Sequence, residues 1–253
     1  MRRELFSSPH LLAQRVADEL TRRHRLRRLR GTAAQGLEYD HIDSLELLER
    51  VQATVVPRVI YDIGGNRGTW SLLARTLCPA AEVHAFEPLE DLHEDFVGRT
   101  ASVGRTTLHG VALGADARPV PMYVHAFADA SSILPLSETE AARWPHHLRE
   151  VRVVPQDTLD NYVASHGLPE PDLVKADVQG YELEVFRGAP RVLAHARAVI
   201  AEVSFIECYA GQPLFGEVAS FLERAGFRTT AFAHGFPRPG APLVQTDVLF
   251  TRA

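Results

Sequence analysis

The chain has 253 residues, 45% hydrophobic and 23% charged, with a formal net charge of -5; this is the balance of a globular protein with one substantial core or at most two small domains, not of a disordered or strongly basic one. Cys78 and Cys208 are the only cysteines, which excludes a disulfide framework and a thiolate metal cluster. The basic start Met1-Arg2-Arg3 is followed by no apolar run of signal-peptide or membrane-spanning kind, so a cytoplasmic location without membrane attachment is expected.

In chain order, Leu11 to Leu29 and Ile42 to Val51 carry the apolar spacing of helices, the second with Asp40 as a candidate cap, and Gly31 to Gly36 reads as the break between them. The cations packed into Arg22 to Arg30 form the kind of cluster that grips a phosphate backbone. Leu20, Leu26 and Leu29 nevertheless keep an intermittent apolar side, and no aromatic residue is interleaved for base stacking. The run is read as a solvated helix face, and nucleic acid is not an expected partner. Lys175 is the only lysine, so arginine here partly reflects composition. Residues 1–55 are expected to form a helical cap on the rest or an oligomerisation segment, with a homodimer pairing through these helices.

Strands are expected at Val59–Gly64, Glu82–Glu87 and Thr107–Leu113, with helices over Trp70–Leu77 and from Pro88 to about Val97. Pro119–His125 and Val151–Val154 read as shorter strands around a long irregular passage. Gln156–His166 is expected to be helical, Asp172–Val178 the fourth main strand, Glu182–Leu193 a helix, Ala198–Val203 a strand and Leu214–Ala225 a helix. Arg228–Ala233 and Asp247–Thr251 close the fold as a hairpin pair. This alternation predicts a mostly parallel α/β sheet with helices on both faces.

The most informative stretch is Val59-Ile60-Tyr61-Asp62-Ile63-Gly64-Gly65-Asn66-Arg67-Gly68, an apolar strand ending in an acid and then a glycine turn at a helix N-terminus. The fingerprint G-x-G-x-x-G of dinucleotide folds is broken, because Asn66 stands at its second glycine. Asp62 would also set negative charge near a pyrophosphate. S-adenosylmethionine carries a sulfonium and an ammonium and no phosphate, so a carboxylate here suits it electrostatically. Asp62, Gly64, Asn66 and Gly68 are therefore candidate cofactor contacts. Glu87, at the end of the second strand, is placed to accept bonds from both ribose hydroxyls. Leu113 is a candidate contact for adenine, and Ser131 and Ser132 sit in an insertion that closes over the cofactor or shapes the acceptor pocket. Strand-end packing accounts for Leu113, and an ordinary loop for the serine pair, equally well.

Open parallel sheets bind ligands at the C-terminal ends of their strands, where strand order reverses. Asp177 and Glu202 fall at that edge of the fourth and fifth main strands and form the candidate catalytic centre. Methyl transfer to oxygen needs positioning and the loss of one proton, which a carboxylate at Asp177 can accept or orient. The structural alternative is an acid that ties down the backbone of Gly180 and Tyr181. His125, His146 and His147 are rival bases near neutral pH, each also readable as an ordinary loop residue. Neither H-E-x-x-H nor cysteine-pair spacing occurs, so no metal site is assigned; a Mg²⁺ ion held by Asp177 and Glu202 is the weaker alternative.

Taken together, Asp62-Ile63-Gly64-Gly65-Asn66-Arg67-Gly68, Phe86-Glu87-Pro88, Ala112-Leu113-Gly114, Ser131-Ser132, Thr158-Leu159-Asp160, Lys175-Ala176-Asp177-Val178-Gln179-Gly180-Tyr181-Glu182, Glu202-Val203 and Gln212-Pro213-Leu214-Phe215 make the chain resemble the FkbM family of S-adenosylmethionine-dependent methyltransferases. The resemblance implies a Rossmann-like class I methyltransferase fold over residues 56–253, with a mostly parallel seven-stranded sheet. It implies S-adenosylmethionine as donor, S-adenosylhomocysteine as product, and O-methylation of a hydroxylated polyketide, sugar or peptide natural product. It also implies Asp62 and Gly64 at the methionine end, Glu87 on the ribose, and Lys175, Asp177 and Glu182 beside the crevice, which adds Lys175 to the catalytic candidates Asp177, Glu202 and His147. Gln179 stands where the family often shows Glu, which weakens any mechanism needing a second carboxylate there. The alternatives are a nucleic-acid methyltransferase, although the Asn/Asp-Pro-Pro-Tyr/Phe tetrapeptide is missing; a nicotinamide oxidoreductase, disfavoured by Asn66; and a non-catalytic protein that keeps the fold.

Overall fold

The structure, a computed structural model, describes residues 9–37, 42–145, 147–233 and 242–252. The candidate cap Asp40 and the candidate base His146 lie outside the described residues. The chain starts with helices α1 (Pro9–Leu29) and α2 (Leu45–Thr54), the second entered through a 3-10 turn over Ile42–Ser44. Leu29, Ile42, Leu45, Leu48 and Val51 pack with Ile60, Trp70 and Leu249 into one apolar cluster, so this segment shares a core with the sheet. Arg25 is entirely buried; its Nε lies 2.8 Å from Glu46 and its guanidinium also meets Asp43. The solvated-face reading of Arg22 to Arg30 therefore fails at Arg25, which clamps α1 to the entry of α2 because burying its charge is costly unless acceptors such as these carboxylates meet it. Arg23 and Arg28 are likewise matched, by Glu19 and Glu49, each at 2.7 Å.

Then follow β1 (Val59–Ile63), α3 (Thr69–Leu77), β2 (Glu82–Phe86), α4 (His93–Thr100), β3 (Thr106–His109), β4 (Ala112–Leu113), β5 (Arg118–His125), α5 (Glu138–Arg143), β6 (Leu148–Asp157), α6 (Leu159–His166) and β7 (Leu173–Ala176). The chain finishes with α7 (Glu182–Arg187), α8 (Pro190–His195), β8 (Ala198–Ser204), α9 (Phe215–Arg224), β9 (Phe227–Phe232) and β10 (Gln245–Arg252). Seven strands form the main sheet in the order β3-β2-β1-β7-β8-β10-β9. All neighbours are parallel except β10, which runs antiparallel to β8 and β9. The chain works outward from β1 to β3 and then returns to lay β7 against the other side of β1, so the strand order reverses between β1 and β7. That junction opens a crevice at the C-terminal strand ends. The seven-stranded α/β class I methyltransferase architecture is thus present.

Side chains alternate across a strand with a period of two, and this decides which polar groups share a face. Tyr61, Ile63, Val174, Ala176, Val199 and Ala201 pack on one face of the sheet. Ile60, Leu173, Ile200 and Leu249 pack on the other, beneath α2 and α3. Two residues further along each strand on that second face stand Asp62, Lys175, Glu202 and, in the antiparallel strand, Asp247. Register pairs Asp62 with Lys175 and Glu202 with Asp247. A polar row therefore crowns the second apolar cluster at the mouth of the crevice.

Several expected boundaries shift for tertiary reasons. The third strand divides at Gly110: β3 joins the main sheet, whereas β4 pairs with β6 in a separate three-stranded sheet, order β4-β6-β5. Pro119–His125 covers β5 except for Arg118, whereas Val151–Val154 is only the middle of the longer β6; the two pair antiparallel in that sheet, and the passage between them holds the short helix α5. The helix expected from Gln156 begins at Leu159, because Gln156 and Asp157 complete β6 and Thr158 caps the helix, its Oγ1 accepting from Asn161 N at 3.1 Å. The helix expected over Glu182–Leu193 is broken at Gly188, where a Cβ would come within 2.0 Å of the Gly114 carbonyl oxygen. Among the described residues no helix is long and apolar enough to cross a membrane.

Candidate active site

A cleft of about 840 Å³, partly open to solvent, follows the C-terminal ends of β1, β2 and β7. Gly64, Asn66, Glu87, Leu113, Ser131, Lys175 and Asp177 line it, with apolar support from Phe86 and Met122. A second cavity of about 780 Å³ lies beside it, walled by Ser44, Glu202, Gln245 and Asp247. Trp70, Asp129, Asp177 and Gln179 line both, so the two spaces meet at these side chains.

The turn after β1 is built by close packing. Gly64 has φ +84°, and a Cβ there would fall 1.8 Å from the Asp177 carbonyl oxygen. The Gly64 and Gly65 amides both donate to Phe86 O at 3.0 Å, which ties the turn to β2. Asn66 N donates to Glu87 Oε2 at 3.0 Å and Leu89 N donates to Oε1 at 2.9 Å. These two bonds hold the Glu87 carboxylate in place, and each oxygen keeps a lone pair for a further donor. Burial nevertheless pushes the Glu87 pKa up to about 7.

At the junction of the cavities, Lys175 Nζ lies 3.1 Å from Asp177 Oδ2 and 3.6 Å from Asp62 Oδ1. Burial works against the Lys175 charge, but Asp177, then Asp62 and Asp247, outweigh it and hold the pKa above that of an ordinary lysine. Gln179 Nε2 donates to Asp177 Oδ1 at 2.8 Å and to Glu202 Oε2 at 2.9 Å. Its Oε1 accepts from the Tyr209 hydroxyl at 2.9 Å, and its carbonyl accepts from Ser132 Oγ at 2.7 Å. Gln179 reaches this position with φ +57°, a left-handed conformation that costs roughly 1–2 kcal/mol for a residue with a Cβ. Burial, followed by the charges of Asp177 and Asp247, raises the Glu202 pKa well above the carboxylate range. Burial and then the charge of Asp177 raise Asp247 as well, although the Ser44 hydroxyl donates to it.

The candidate residues fall into groups. Gly64, Asn66, Glu87, Leu113 and Ser131 come together on the first cleft, with Lys175 and Asp177 at its inner end. Asp62 does not reach it: as an even-parity residue of β1 it points toward α3, fully buried, where Ser71 Oγ donates to Oδ2 at 2.6 Å. Its link to the cleft is the ion pair with Lys175 at 3.6 Å. Gly68 likewise does not line the cleft; it caps α3 with φ +77° and is hemmed in by Phe96 and Thr100. Ser132 is enclosed and fixes Gln179 instead, while Ser131 Oγ accepts from His125 N at 3.1 Å. Glu202 lines the second cavity, and His147 stands in a third, away from Asp177 and Lys175. Anchoring the loop after β7 is the work of Glu182, which accepts from Val178 N at 2.9 Å and Gly180 N at 3.2 Å.

Asp177, Glu182 and Glu202 bring carboxylate oxygens within 4.8 Å of one another. The amide of Gln179 spans Asp177 and Glu202 within that group. Sequence reasoning overlooked Trp70, Asp129 and Asp247 as site residues, whereas Tyr209 falls in the Glu207–Phe215 stretch that the sequence offers as a wall for the acceptor. The one signal available was Asp247 itself, an acid at the start of an otherwise apolar strand.

The family model described as "Methyltransferase FkbM domain" matches residues 62–229. Hexuronic acid methyltransferase AglP of Haloferax volcanii is 27% identical over 147 residues, 57% of this chain and 55% of that protein. The chain thus spans about half the length of this curated relative. Among solved structures, magnesium protoporphyrin IX methyltransferase (ChlM) from Synechocystis PCC 6803 with bound SAM is similar with a TM-score of 0.46 and 15% identity, over 91% of this chain and 90% of that one. Precorrin-6y C5,15-methyltransferase from Geobacter metallireducens GS-15 gives a TM-score of 0.46 and 14% identity, over 86% and 94%.

Proposed function

The chain belongs to the FkbM methyltransferase family, and on that premise we propose that it is an O-methyltransferase using S-adenosylmethionine to methylate a hydroxyl of a small or medium-sized metabolite. The carrying observation is that a cleft suited to an adenosine-containing donor and a second cavity meet at Asp177 and Gln179. The donor supplies an electrophilic methyl group on a positively charged sulfur. Gly64 and Asn66 line the methionine end, Glu87 offers its remaining lone pairs to ribose hydroxyls, and Leu113 faces the base. Lys175 and Gln179 each hold one oxygen of Asp177, so its carboxylate is fixed where an acceptor hydroxyl meets the cleft. Asp177 accepts that hydroxyl's proton, while Glu202, whose pKa burial and then Asp177 raise, stands back from the donor cleft in the second cavity.

Tritiated donor offered with a panel of hydroxylated sugars, polyketides and peptides should label an oxygen. Labelling confined to nitrogen or carbon would overturn the O-transfer reading. The relative's name, hexuronic acid methyltransferase, puts sugars first on that panel.

Donor affinity should also depend on pH through Glu87. With a pKa of about 7, the group holds a proton in acid, whereas ribose hydroxyls need the ionised form. Binding therefore expels a proton below neutrality. Calorimetry with S-adenosylhomocysteine should show affinity falling by up to about tenfold per pH unit below 7 and level above it. Glu87→Gln should flatten this profile and weaken binding by roughly 10-fold to 100-fold at pH 8; a profile unchanged by the substitution would remove Glu87 from the ribose.

A further inference from the structure

We propose that a third cavity, beside the chemical centre, is the acceptor subsite, and that it takes a neutral six-membered sugar ring. This rests on the methyltransferase reading above. The cavity spans about 690 Å³, is open to solvent on one side, and reaches the junction through Gln179, which lines it as well as the two spaces already described. Its outer wall is aromatic. Phe127 is 64% exposed and Trp144 47%, although both are large apolar rings. The His147 ring lies between them, 5.0 Å from Phe127 and 4.8 Å from Trp144, centroid to centroid. Such rings present a negative π face. The weakly positive C–H face of a pyranose complements it, and the hydroxyls on the ring edge then need polar partners.

His125 supplies one. It is 4% exposed and lines the cavity, yet neither ring nitrogen has a hydrogen bond of good geometry. The nearby His147 carbonyl already accepts from Ala126 N at 2.7 Å and serves at most one of the two nitrogens. A buried imidazole left this way costs free energy until a donor or acceptor meets it. Tyr209, deeper in, links the cavity to Gln179 at 2.9 Å and so to Asp177.

Charge decides which sugar. Among the described residues lining the cavity, Glu140 alone carries a fixed charge, and Arg143 engages it at 2.8 Å. Lys175 is already held between Asp62 and Asp177. A uronate carboxylate would therefore meet Glu140 with no cation among these groups that is not already paired, whereas a neutral ring needs only the imidazole, amide and hydroxyl partners that His125, Gln179 and Tyr209 offer. In this the chain departs from its hexuronic acid relative.

The test uses the full chain loaded with S-adenosylhomocysteine, titrated with methyl glucopyranoside, sodium glucuronate and a hydroxyanthraquinone, and read by tryptophan fluorescence and calorimetry. The glucoside should bind saturably, at least about tenfold tighter than glucuronate, and lose about tenfold in both Trp144→Ala and His125→Phe, with S-adenosylhomocysteine affinity unchanged. Trp144 is surface-exposed, so its variant keeps the test open if His125→Phe misfolds. No glucoside response while S-adenosylhomocysteine still binds would overturn this inference alone, as would equal or tighter glucuronate, preference for the hydroxyanthraquinone, or an unaffected Trp144→Ala. Failure of S-adenosylhomocysteine itself to bind would instead remove the methyltransferase reading and this subsite with it.

Discussion

Replacing Asp177 with Asn is expected to lower turnover by roughly 10²- to 10⁴-fold, the usual worth of a positioned proton acceptor, while S-adenosylhomocysteine still binds. The carboxylate lines both the donor cleft and the neighbouring cavity; Asp129 lines them too, but Asp177 is the one whose two oxygens are held by Lys175 and Gln179. Glu202 lines the second cavity but not the donor cleft, and His147 lines neither. The substitution has one structural side effect. Gln179 donates to one oxygen and Lys175 to the other, so an Asn amide satisfies one partner and turns a donor toward the second. Asp62 remains 3.6 Å from Lys175 and keeps it paired. Donor affinity and melting temperature measured beside turnover separate the two effects. Unchanged turnover would take Asp177 out of the proton transfer, and loss of donor binding in parallel would make its role structural.

Much of this site was legible because strands buried on both faces read as continuous apolar runs. Val59 to Ile63 and Leu173 to Ala176 announced themselves that way, and the glycines after β1 marked the turn. Glu87 was legible too, as an acid ending the second strand. Asp62 was misplaced for an instructive reason. Alternation says that Asp62 and Ile63 face opposite ways, but not which way the cleft lies; that depends on α3 bringing Ser71 up against Asp62. Gly188 was equally opaque, because the helix breaks there to let the chain pass Gly114, far away in sequence. Gln179 looked like a lost carboxylate. In the fold its amide donates to two acids at once, a role glutamate cannot fill, because even a protonated carboxyl carries a single donor hydrogen.

Gly64→Ala should destabilise the protein by roughly 2–5 kcal/mol, toward the upper end for a single substitution. Two costs combine at this position. The backbone has φ +84°, which penalises any Cβ by roughly 1–2 kcal/mol. The added methyl would also sit 1.8 Å from the Asp177 carbonyl oxygen and 2.9 Å from its carbonyl carbon. These are backbone atoms that cannot rotate aside, and Asp177 N is itself bonded to Ile63 O at 3.0 Å. The ends of β1 and β7 must therefore part, which is an overpacking cost of about 1–3 kcal/mol more. Because the displaced atoms belong to Asp177, turnover should fall in the surviving folded fraction as well. Gly98→Ala provides the contrast: that glycine lies in α4 with open space around it, so alanine there should change stability by less than about 1 kcal/mol and in the favourable direction. Scanning calorimetry of the two variants decides the matter. A Gly64→Ala protein melting together with Gly98→Ala would mean that the β1 turn does not press against β7, and the proposed seat of Asp177 would fall with it.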